Sequence, residues 1–204
     1  MSFQHTKTPF VQDTFYHIYN RGINKEKIFF KEENYIFFLE KFNKYLDELV
    51  DTYAYCLIPN HFHLLIKVKS ELELKPIVNV LQIDNKITES FRIMLMGYAK
   101  AINKQETREG SLFKRNIKIK PVVHDNHLLS LIAYIHTNPN HHKVIDTFEN
   151  YKWSSYQSIL SNKPTKLKRN ELLEIFEGKE NFIQYHRSYK DYTTIREFVE
   201  DENG

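Results

Sequence analysis

The feature that most constrains the fold is the alternation of apolar and polar side chains over residues 61–69. The even positions are all apolar, namely Phe62, Leu64, Ile66 and Val68. The odd positions are His61, His63, Leu65, Lys67 and Lys69. Successive side chains of a strand point to opposite faces of its sheet. The pattern therefore predicts a strand with one face on a core and the other, histidine-bearing face directed outward.

Three other segments predict strands that could join this one in a sheet. Residues 14–21 and 53–58 are rich in β-branched and aromatic side chains, a composition typical of strands. Residues 112–123 alternate less regularly and carry several lysines, so they predict a basic strand. Together with residues 61–69, these segments are enough for a four-stranded sheet.

Helices are predicted between these strands. Apolar side chains recur at three- and four-residue spacing over residues 32–49 and 72–103, the second segment with an interruption near 84–85. A third helix begins at residue 125 or 126 and is expected to end at about Asn138, because Pro139 follows. This order of elements predicts an α+β, ferredoxin-like antiparallel sheet with helices on one face. The other face is then expected to be open to a ligand.

Composition excludes several classes of protein. Of the 204 residues, 41% are hydrophobic and 14% aromatic, which is too rich in core-forming side chains for intrinsic disorder. Cys56 is the only cysteine, so a disulfide framework and a cysteine-based zinc site are both excluded. The longest apolar stretch, near residues 128–135, is too short to span a bilayer, and the first residues are polar. These features predict a soluble, cytoplasmic protein.

The net charge of +3 hides an uneven distribution. The last eight residues carry four acidic side chains and no basic one, so residues 1–196 have a formal charge of +7. Basic residues concentrate between residues 100 and 120 and again between 163 and 169. Such runs are usually solvated surface, so charge alone leaves nucleic-acid binding and plain solvent exposure both open.

His61 and His63 are the first candidates for chemistry. A spacing of two residues on a strand directs both imidazoles to the same side, a few ångströms apart, as two ligands of one metal ion require. With ten histidines in the chain, however, one His-x-His motif can arise by chance. Two surface histidines are therefore the alternative interpretation.

Tyr134 and Asn138 are the second pair. They lie four residues apart on the predicted third helix and so share a face, where a phenol and an amide oxygen could act together as nucleophile and metal ligand. The alternative is a tyrosine that merely packs at the rim of a helix end. Tyr98 is the competing nucleophile, but it belongs to an apolar stripe and has Ile102, not a ligand, four residues later.

Combined, these residues suggest chemistry at a phosphodiester. A phenol is a poor nucleophile near neutral pH unless its target is activated. A divalent cation held by His61, His63 and Asn138 could activate a phosphate for attack by Tyr134. This ligand set suits Mg²⁺ or Mn²⁺ and leaves Zn²⁺ open. A metal-dependent phosphohydrolase that uses water is disfavoured, because no cluster of carboxylates accompanies the histidines.

Five segments resemble the single-tyrosine HUH transposases of bacteria, most closely the branch of REP-associated tyrosine transposases. The segments are FYHIYNRG (15–22), AYCLIPNHFHLLI (54–66), GSLFKRNIK (110–118), YIHTNP (134–139) and YKWSSY (151–156). The resemblance implies a ferredoxin-like catalytic domain that cleaves and rejoins single-stranded DNA near a hairpin or palindrome. It also implies a 5′-phosphotyrosine on Tyr134, with His61, His63 and Asn138 as metal ligands.

The resemblance carries further expectations. We assign contacts with DNA to five basic residues, which are Lys114, Arg115, Lys118, Arg21 and Lys67. The residues after Asn138 depart from the family pattern, so His136 or His141 could compete as a ligand. The catalytic domain is expected to cover residues 1–160, followed at 161–204 by a basic loop, short helices and an acidic tail. The family implies a bacterial, nucleoid-associated protein and leaves monomer and homodimer open.

A non-catalytic module of the same fold that binds single-stranded nucleic acid is the main alternative. Its sheet would stack bases on tyrosine and phenylalanine rings and track phosphates with lysines. Neither task needs His61, His63, Tyr134 or Asn138, so the presence of all four favours the enzyme.

Overall fold

A single antiparallel sheet organises the chain. In the computed structural model, which describes residues 8–189 apart from the side chains of Val80, Asp125 and Asn126, the strands are β1 (Phe15–Arg21), β2 (Val50–Ile58), β3 (His61–Val68) and β4 (Lys118–Val122). Their order across the sheet is β2-β3-β1-β4. Strand β1 pairs with both β3 and β4, and all pairings are antiparallel. The predicted α+β class and antiparallel sheet are confirmed.

Helices connect and cover the strands. They are α1 (Glu32–Leu46), α2 (Glu71–Leu74), α3 (Ile83–Gln105), α4 (Asp125–His141), α5 (Tyr156–Leu160), α6 (Arg169–Ile175) and α7 (Lys179–Ser188). Short 3₁₀ turns lie at Ile23–Lys25, Val80–Gln82 and Phe148–Asn150. Within residues 8–189, no helix combines the length and the apolar character needed to cross a bilayer.

The first core lies between the sheet and the pair α1 and α3. The even side chains of β3 are all buried here, as the alternation predicted. The ring of Phe62 on β3 lies 4.9 Å from that of Phe38 on α1, and Phe38 in turn meets Tyr98 on α3 edge to face at 5.3 Å. Burial of these rings accounts for the attachment of both helices to one face of the sheet.

The opposite face is also covered, which differs from the expectation of helices on one face only. Helix α4 is apolar on several sides, and its Leu131 and Ile135 are fully buried against side chains of β2 and β3. Because such a helix must bury its apolar surface, it occupies the face that the sequence left for a ligand. The histidine-bearing face of β3 is therefore buried beneath α4 and not directed to solvent.

Residues after 160 contribute to this second core. Leu172 of α6 and Phe182 of α7 are fully buried in the same cluster as Leu131. The backbone N–H of Lys168 donates to the carbonyl of Thr52 on β2 at 2.9 Å. The domain boundary at 160 stays a prediction, and the acidic residues 197–204 lie outside the described residues.

Some predicted boundaries are wrong by several residues. Helix α4 continues through Pro139 to His141, because a proline so close to the helix end removes only one hydrogen bond of the last turns. The interruption between α2 and α3 falls at residues 75–82, and β4 is confined to Lys118–Val122. The continuation of α4 matters for the site, because it determines where His141 and His142 lie.

Candidate functional site

His61 and His63 lie side by side at the start of β3, on the face covered by α4. Their ring centroids are 5.0 Å apart and their planes nearly perpendicular. Only 4% of His61 and none of His63 is exposed. Burial, with a smaller contribution from neighbouring imidazoles, lowers the pKa of both rings well below 6.5. Both are therefore neutral near pH 7, the form in which imidazole binds metal ions.

Helix α4 places Tyr134 and Asn138 directly over these two rings. The Tyr134 ring meets His63 edge to face, with centroids 5.6 Å apart. One turn later, Oδ1 of Asn138 lies 3.1 Å from Nε2 of His61. Tyr134 and Asn138 share a face because they are four residues apart. The structure thus brings the four residues of the two sequence motifs into one buried cluster.

Both ring nitrogens of His61 face an amide oxygen, but a neutral imidazole has only one N–H to donate. Its Nδ1 lies 2.8 Å from Oδ1 of Asn60, while its Nε2 faces Oδ1 of Asn138. The amide of Asn60 is oriented by its own Nδ2, which donates to the carbonyl of Lys25 at 3.3 Å. The single ring proton is therefore assigned to Nδ1, which leaves two lone pairs facing each other at Asn138.

Either a reversed Asn138 amide or a cation between the two atoms resolves this contact. In its present orientation, the amide Nδ2 of Asn138 is buried and has no hydrogen-bond partner among residues 8–189. Two neutral imidazoles and an amide oxygen are donors that divalent cations accept, so His61, His63 and Asn138 are chemically suited to hold one.

Carboxylates and further histidines do not complete a conventional metal site. Among the described residues, no three His, Cys, Asp or Glu side chains are grouped so that they could hold a metal ion. The candidate set has two imidazoles and an amide, which leaves coordination positions for oxygens of a substrate.

Two further imidazoles border this cluster, and sequence analysis overlooked the role of both. Nε2 of His17, on β1, lies 2.9 Å from Nδ1 of His63. The ring of His142, just after α4, meets that of His61 edge to face at 4.5 Å. Burial, assisted by His141 and Arg21, lowers the pKa of His142 to about 4. No local pattern marked His17, because its contact with His63 depends on the pairing of β1 with β3.

The two histidines expected to compete as ligands lie elsewhere. His141 is exposed, and its ring lies 6.3 Å from that of Tyr134. His136 is fully buried on another side of α4, where its Nδ1 is 2.8 Å from Nε2 of His186 and its Nε2 is 2.7 Å from Oγ of Ser155. It is His142, and not His136 or His141, that lies against His61.

The contacts of His136 form a chain of hydrogen bonds with one direction. His186 donates from Nδ1 to the carbonyl of Phe182 at 2.7 Å, because a carbonyl can only accept. Its Nε2 must then accept from Nδ1 of His136, whose Nε2 accepts from the hydroxyl of Ser155. The chain ties α4 to α7 and to the start of α5, and so fixes the helix that carries Tyr134.

Tyr98, the competing nucleophile, lies in the first core on the other side of the sheet. It is fully buried between α1 and α3, and its hydroxyl donates to the carbonyl of Ile28 at 2.7 Å. Burial raises the pKa of this phenol. The sheet separates Tyr98 from His61 and His63, whose side chains lie on the opposite face.

A basic cleft adjoins the histidine cluster. It has a volume of about 360 Å³ and is lined by Tyr19, Asn20, Arg21, His61, Lys114, Arg115, Asn116 and Lys118. Four of the five basic residues predicted to contact DNA line this cleft together with His61. The fifth, Lys67, pairs with Phe15 at the far end of β3, about 20 Å along the strand, and its ammonium lies 3.6 Å from Asp13.

Hydrogen bonds hold the backbone of Lys114 beside the end of β1. The N–H of Lys114 donates to the carbonyl of Arg21 at 2.8 Å, and Nδ2 of Asn20 donates to the carbonyl of Lys114 at 3.2 Å. Oδ1 of Asn20 accepts from the backbone N–H of Arg21 at 2.8 Å. Asn20 is nearly buried and joins the end of β1 to the segment that carries Lys114.

Comparisons with known proteins bear on the fold. No protein-family model matches the chain, and no curated protein matches it. Among solved structures, the chain is similar to a REP-associated tyrosine transposase bound to a REP hairpin, with a TM-score of 0.60 and 12% identity. The match covers 80% of this chain and 89% of that chain. The chain shares its fold.

At 12% identity, the similarity to the REP-associated tyrosine transposase extends to the fold alone. The resemblance inferred from the five sequence segments is confirmed to that extent. The chemistry of the cluster around Tyr134 therefore depends on the side chains described above.

Proposed function

We propose that this chain is a metal-dependent transposase that cleaves and rejoins single-stranded DNA through a covalent bond to Tyr134. The observation that carries the proposal is the position of Tyr134 above His63 and one helical turn from Asn138, which in turn faces His61 at the wall of the basic cleft. A module that only stacks bases has no need for this arrangement. The similarity in fold to a transposase bound to a DNA hairpin supports the same class of substrate.

The cleavage step exchanges one phosphorus–oxygen bond for another. Oη of Tyr134 attacks the phosphorus and forms a phosphotyrosine, while the bond from phosphorus to the 3′ oxygen breaks. The phenol loses its proton and the departing 3′ oxygen gains one. Because the new phosphotyrosine preserves the energy of the phosphodiester bond, attack by another 3′-OH can rejoin DNA without an external energy source.

His61, His63 and Asn138 are the proposed metal ligands. Two neutral nitrogen donors and one amide oxygen suit Mn²⁺ or Mg²⁺ with the substrate phosphate, and Zn²⁺ remains compatible. When bound, the ion supplies positive charge to the phosphate oxygens. Helix α4 positions Tyr134 and Asn138 together, so that one rigid element carries both the nucleophile and a ligand.

The basic cleft is the proposed path of the DNA strand. Arg21, Lys114, Arg115 and Lys118 neutralise phosphates next to His61, where the scissile phosphate must lie. The exposed amide of Asn116 lines the same cleft and offers hydrogen-bonding groups to unpaired bases. A hairpin with a single-stranded flank fits this combination, because its unpaired nucleotides can enter the cleft.

The test uses hairpin oligonucleotides with single-stranded flanks, labelled at either end and incubated with the protein and Mn²⁺. A denaturing gel is expected to show a protein–DNA adduct that retains the 3′ label and releases the 5′ label. Tyr134→Phe is expected to abolish the adduct, since it removes only the attacking oxygen. Tyr98→Phe is the matched control and is expected to form the adduct normally.

Three results would contradict the proposal. One is the absence of an adduct from the wild-type protein across a broad set of hairpins. The second is an undiminished adduct with Tyr134→Phe. The third is hairpin binding that is equally strong in EDTA and never followed by cleavage, which would favour the non-catalytic module.

A further inference from the structure

The contact between His17 and His63 joins a proposed metal ligand to a second buried imidazole. In the pairing of β1 with β3, Tyr19 lies opposite His63 and His17 lies opposite Leu65. The rings of His17 and His63 are nearly parallel, at an angle of 14°, with Nε2 of His17 lying 2.9 Å from Nδ1 of His63. Neither residue is exposed to solvent.

A hydrogen bond between two neutral imidazoles holds one proton, and its position decides what His63 can do. If Nδ1 of His63 carries the proton and donates it to His17, then Nε2 of His63 presents a lone pair to a cation. If Nε2 of His17 donates instead, the proton of His63 lies on its own Nε2, which then cannot bind a cation. The two arrangements have the same heavy-atom positions and opposite consequences.

The surroundings keep His17 in place as a partner. Its ring stacks on Tyr19 with centroids 4.7 Å apart, and the Tyr19 ring is also nearly parallel to that of His63. Burial, together with the charge of Lys120, lowers the pKa of His17 to about 3. A stacked, neutral imidazole offers one nitrogen as an acceptor at a fixed position.

We propose that His17 is a positioning residue that accepts the hydrogen bond from Nδ1–H of His63 and thereby holds His63 in the tautomer whose Nε2 can bind a cation. This assignment rests on the function proposed above, because the cation is what requires a lone pair on Nε2 of His63, but the tautomer itself can be measured without metal. Groups that hold the second nitrogen of a ligating histidine typically change metal affinity by about 10- to 100-fold.

The test compares two substitutions of His17 with the wild-type protein. His17→Gln keeps an acceptor close to the position of Nε2, and His17→Leu removes it at similar volume. The first measurement is the tautomer of His63, determined by ¹⁵N NMR on metal-free protein and assigned by difference with His63→Gln. The second measurement is the dissociation constant of Mn²⁺, determined by calorimetry without DNA.

The expected wild-type spectrum has the proton of His63 on Nδ1, and His17→Leu is expected to move it towards Nε2. His17→Leu is also expected to weaken Mn²⁺ binding by about 10- to 100-fold, and His17→Gln to restore most of the affinity. Circular dichroism and thermal unfolding establish that each variant is folded, so a merely structural role cannot imitate the change in tautomer.

A wild-type His63 with its proton on Nε2 would overturn the proposal, as would a folded His17→Leu that binds Mn²⁺ as tightly as wild type. If the wild-type protein binds no Mn²⁺, the metal-dependent function fails, and the spectrum still decides the role of His17. Should His17→Leu not fold, the wild-type spectrum decides, together with the variant His17→Asn. The side chain of asparagine is one bond shorter than that of glutamine, so its acceptor lies farther from His63. His17→Asn is therefore expected to weaken Mn²⁺ binding relative to His17→Gln, and equal affinities would overturn the proposal.

Discussion

The amide oxygen of Asn138 lies 3.1 Å from Nε2 of His61, and the amide nitrogen of the same side chain is buried with no hydrogen-bond partner among the described residues. A buried polar group without a partner lowers the stability of a protein. On the function proposed above, a bound cation would take up the lone pairs that face each other between Asn138 and His61.

Replacing Asn138 by leucine is therefore expected to separate stability from metal binding. In EDTA, the free energy of unfolding should stay within about 1 kcal/mol of wild type or rise, because the unpaired N–H is removed. The affinity for Mn²⁺ should fall by about tenfold or more, because a ligand is removed. Urea denaturation and calorimetry measure the two quantities. Unchanged Mn²⁺ affinity in a folded variant would exclude Asn138 from the ligand set.

Substitutions in the basic cleft are expected to weaken DNA binding more than substitution of Lys67. Lys114→Ala and Arg115→Ala should each weaken binding of a single-stranded oligonucleotide and reduce the slope of log K against log salt by about 0.7 for each phosphate that is no longer neutralised. Both side chains are exposed, so stability should hardly change. Fluorescence anisotropy over a range of salt concentrations measures the slope. Lys67→Ala is the matched control, since Lys67 lies at the other end of β3. An equal effect of Lys67→Ala would contradict the proposal that the DNA strand binds in the basic cleft.

The C-terminal helices are expected to unfold together with the sheet. Phe182→Ala should destabilise the protein by about 3–5 kcal/mol, because the ring is fully buried in the second core. Leu81→Ala is the control and should have little effect, because 94% of Leu81 is exposed. Urea denaturation followed by fluorescence and by circular dichroism should give one coincident transition. Two separate transitions would support an independent unit after residue 160.

Stability is expected to decrease below about pH 6.5. Burial lowers the pKa of His186 to about 4, whereas in the unfolded chain it lies near 6.5. Between these values the unfolded state binds a proton that the folded state does not, so the free energy of unfolding falls as the pH falls. A shift of this size is expected to lower the free energy of unfolding by about 3 kcal/mol between pH 6.5 and 4.

Urea denaturation at a series of pH values measures this decrease. His186→Gln removes the titrating group and keeps an acceptor for His136, so its stability should depend less steeply on pH over the same range. A pH dependence identical to that of wild type would show that His186 titrates normally in the folded protein.

Periodic patterns in the sequence predicted the first core, which lies between the sheet and helices α1 and α3. The alternation around Phe62 and the helical spacing around Phe38 are properties of neighbouring residues, and both correctly identified the faces that form the first core. The second core depends on short helices such as α5 and α6, whose five and seven residues are too few to show a clear period. Helix α4, which covers the histidine face, was predicted as a helix, but the side of the sheet on which it packs depends on contacts between residues distant in sequence, such as Leu131 and Leu65. The covering of the histidine face therefore escaped prediction.

The same distinction applies to the site. Tyr134 and Asn138 share a face through their spacing, and so do His61 and His63, so sequence analysis could pair each set. The contact of His17 with His63 depends on the register between β1 and β3, which joins residues 46 positions apart. His142 was overlooked because Pro139 was expected to end the helix, whereas the helix continues and carries His142 onto His61.

The side chain of Tyr134 is buried between α4 and the sheet, and this limits when it can meet a substrate. Only 2% of its surface is exposed, and Asn138 has none. On the function proposed above, a phosphate reaches the phenol only when α4 and β3 move apart at this point, and the apparent affinity for DNA is then expected to be reduced in proportion to the population of that conformation. If Tyr134 is the nucleophile proposed above, its burial until a strand fills the cleft would spare other DNA that the protein meets briefly.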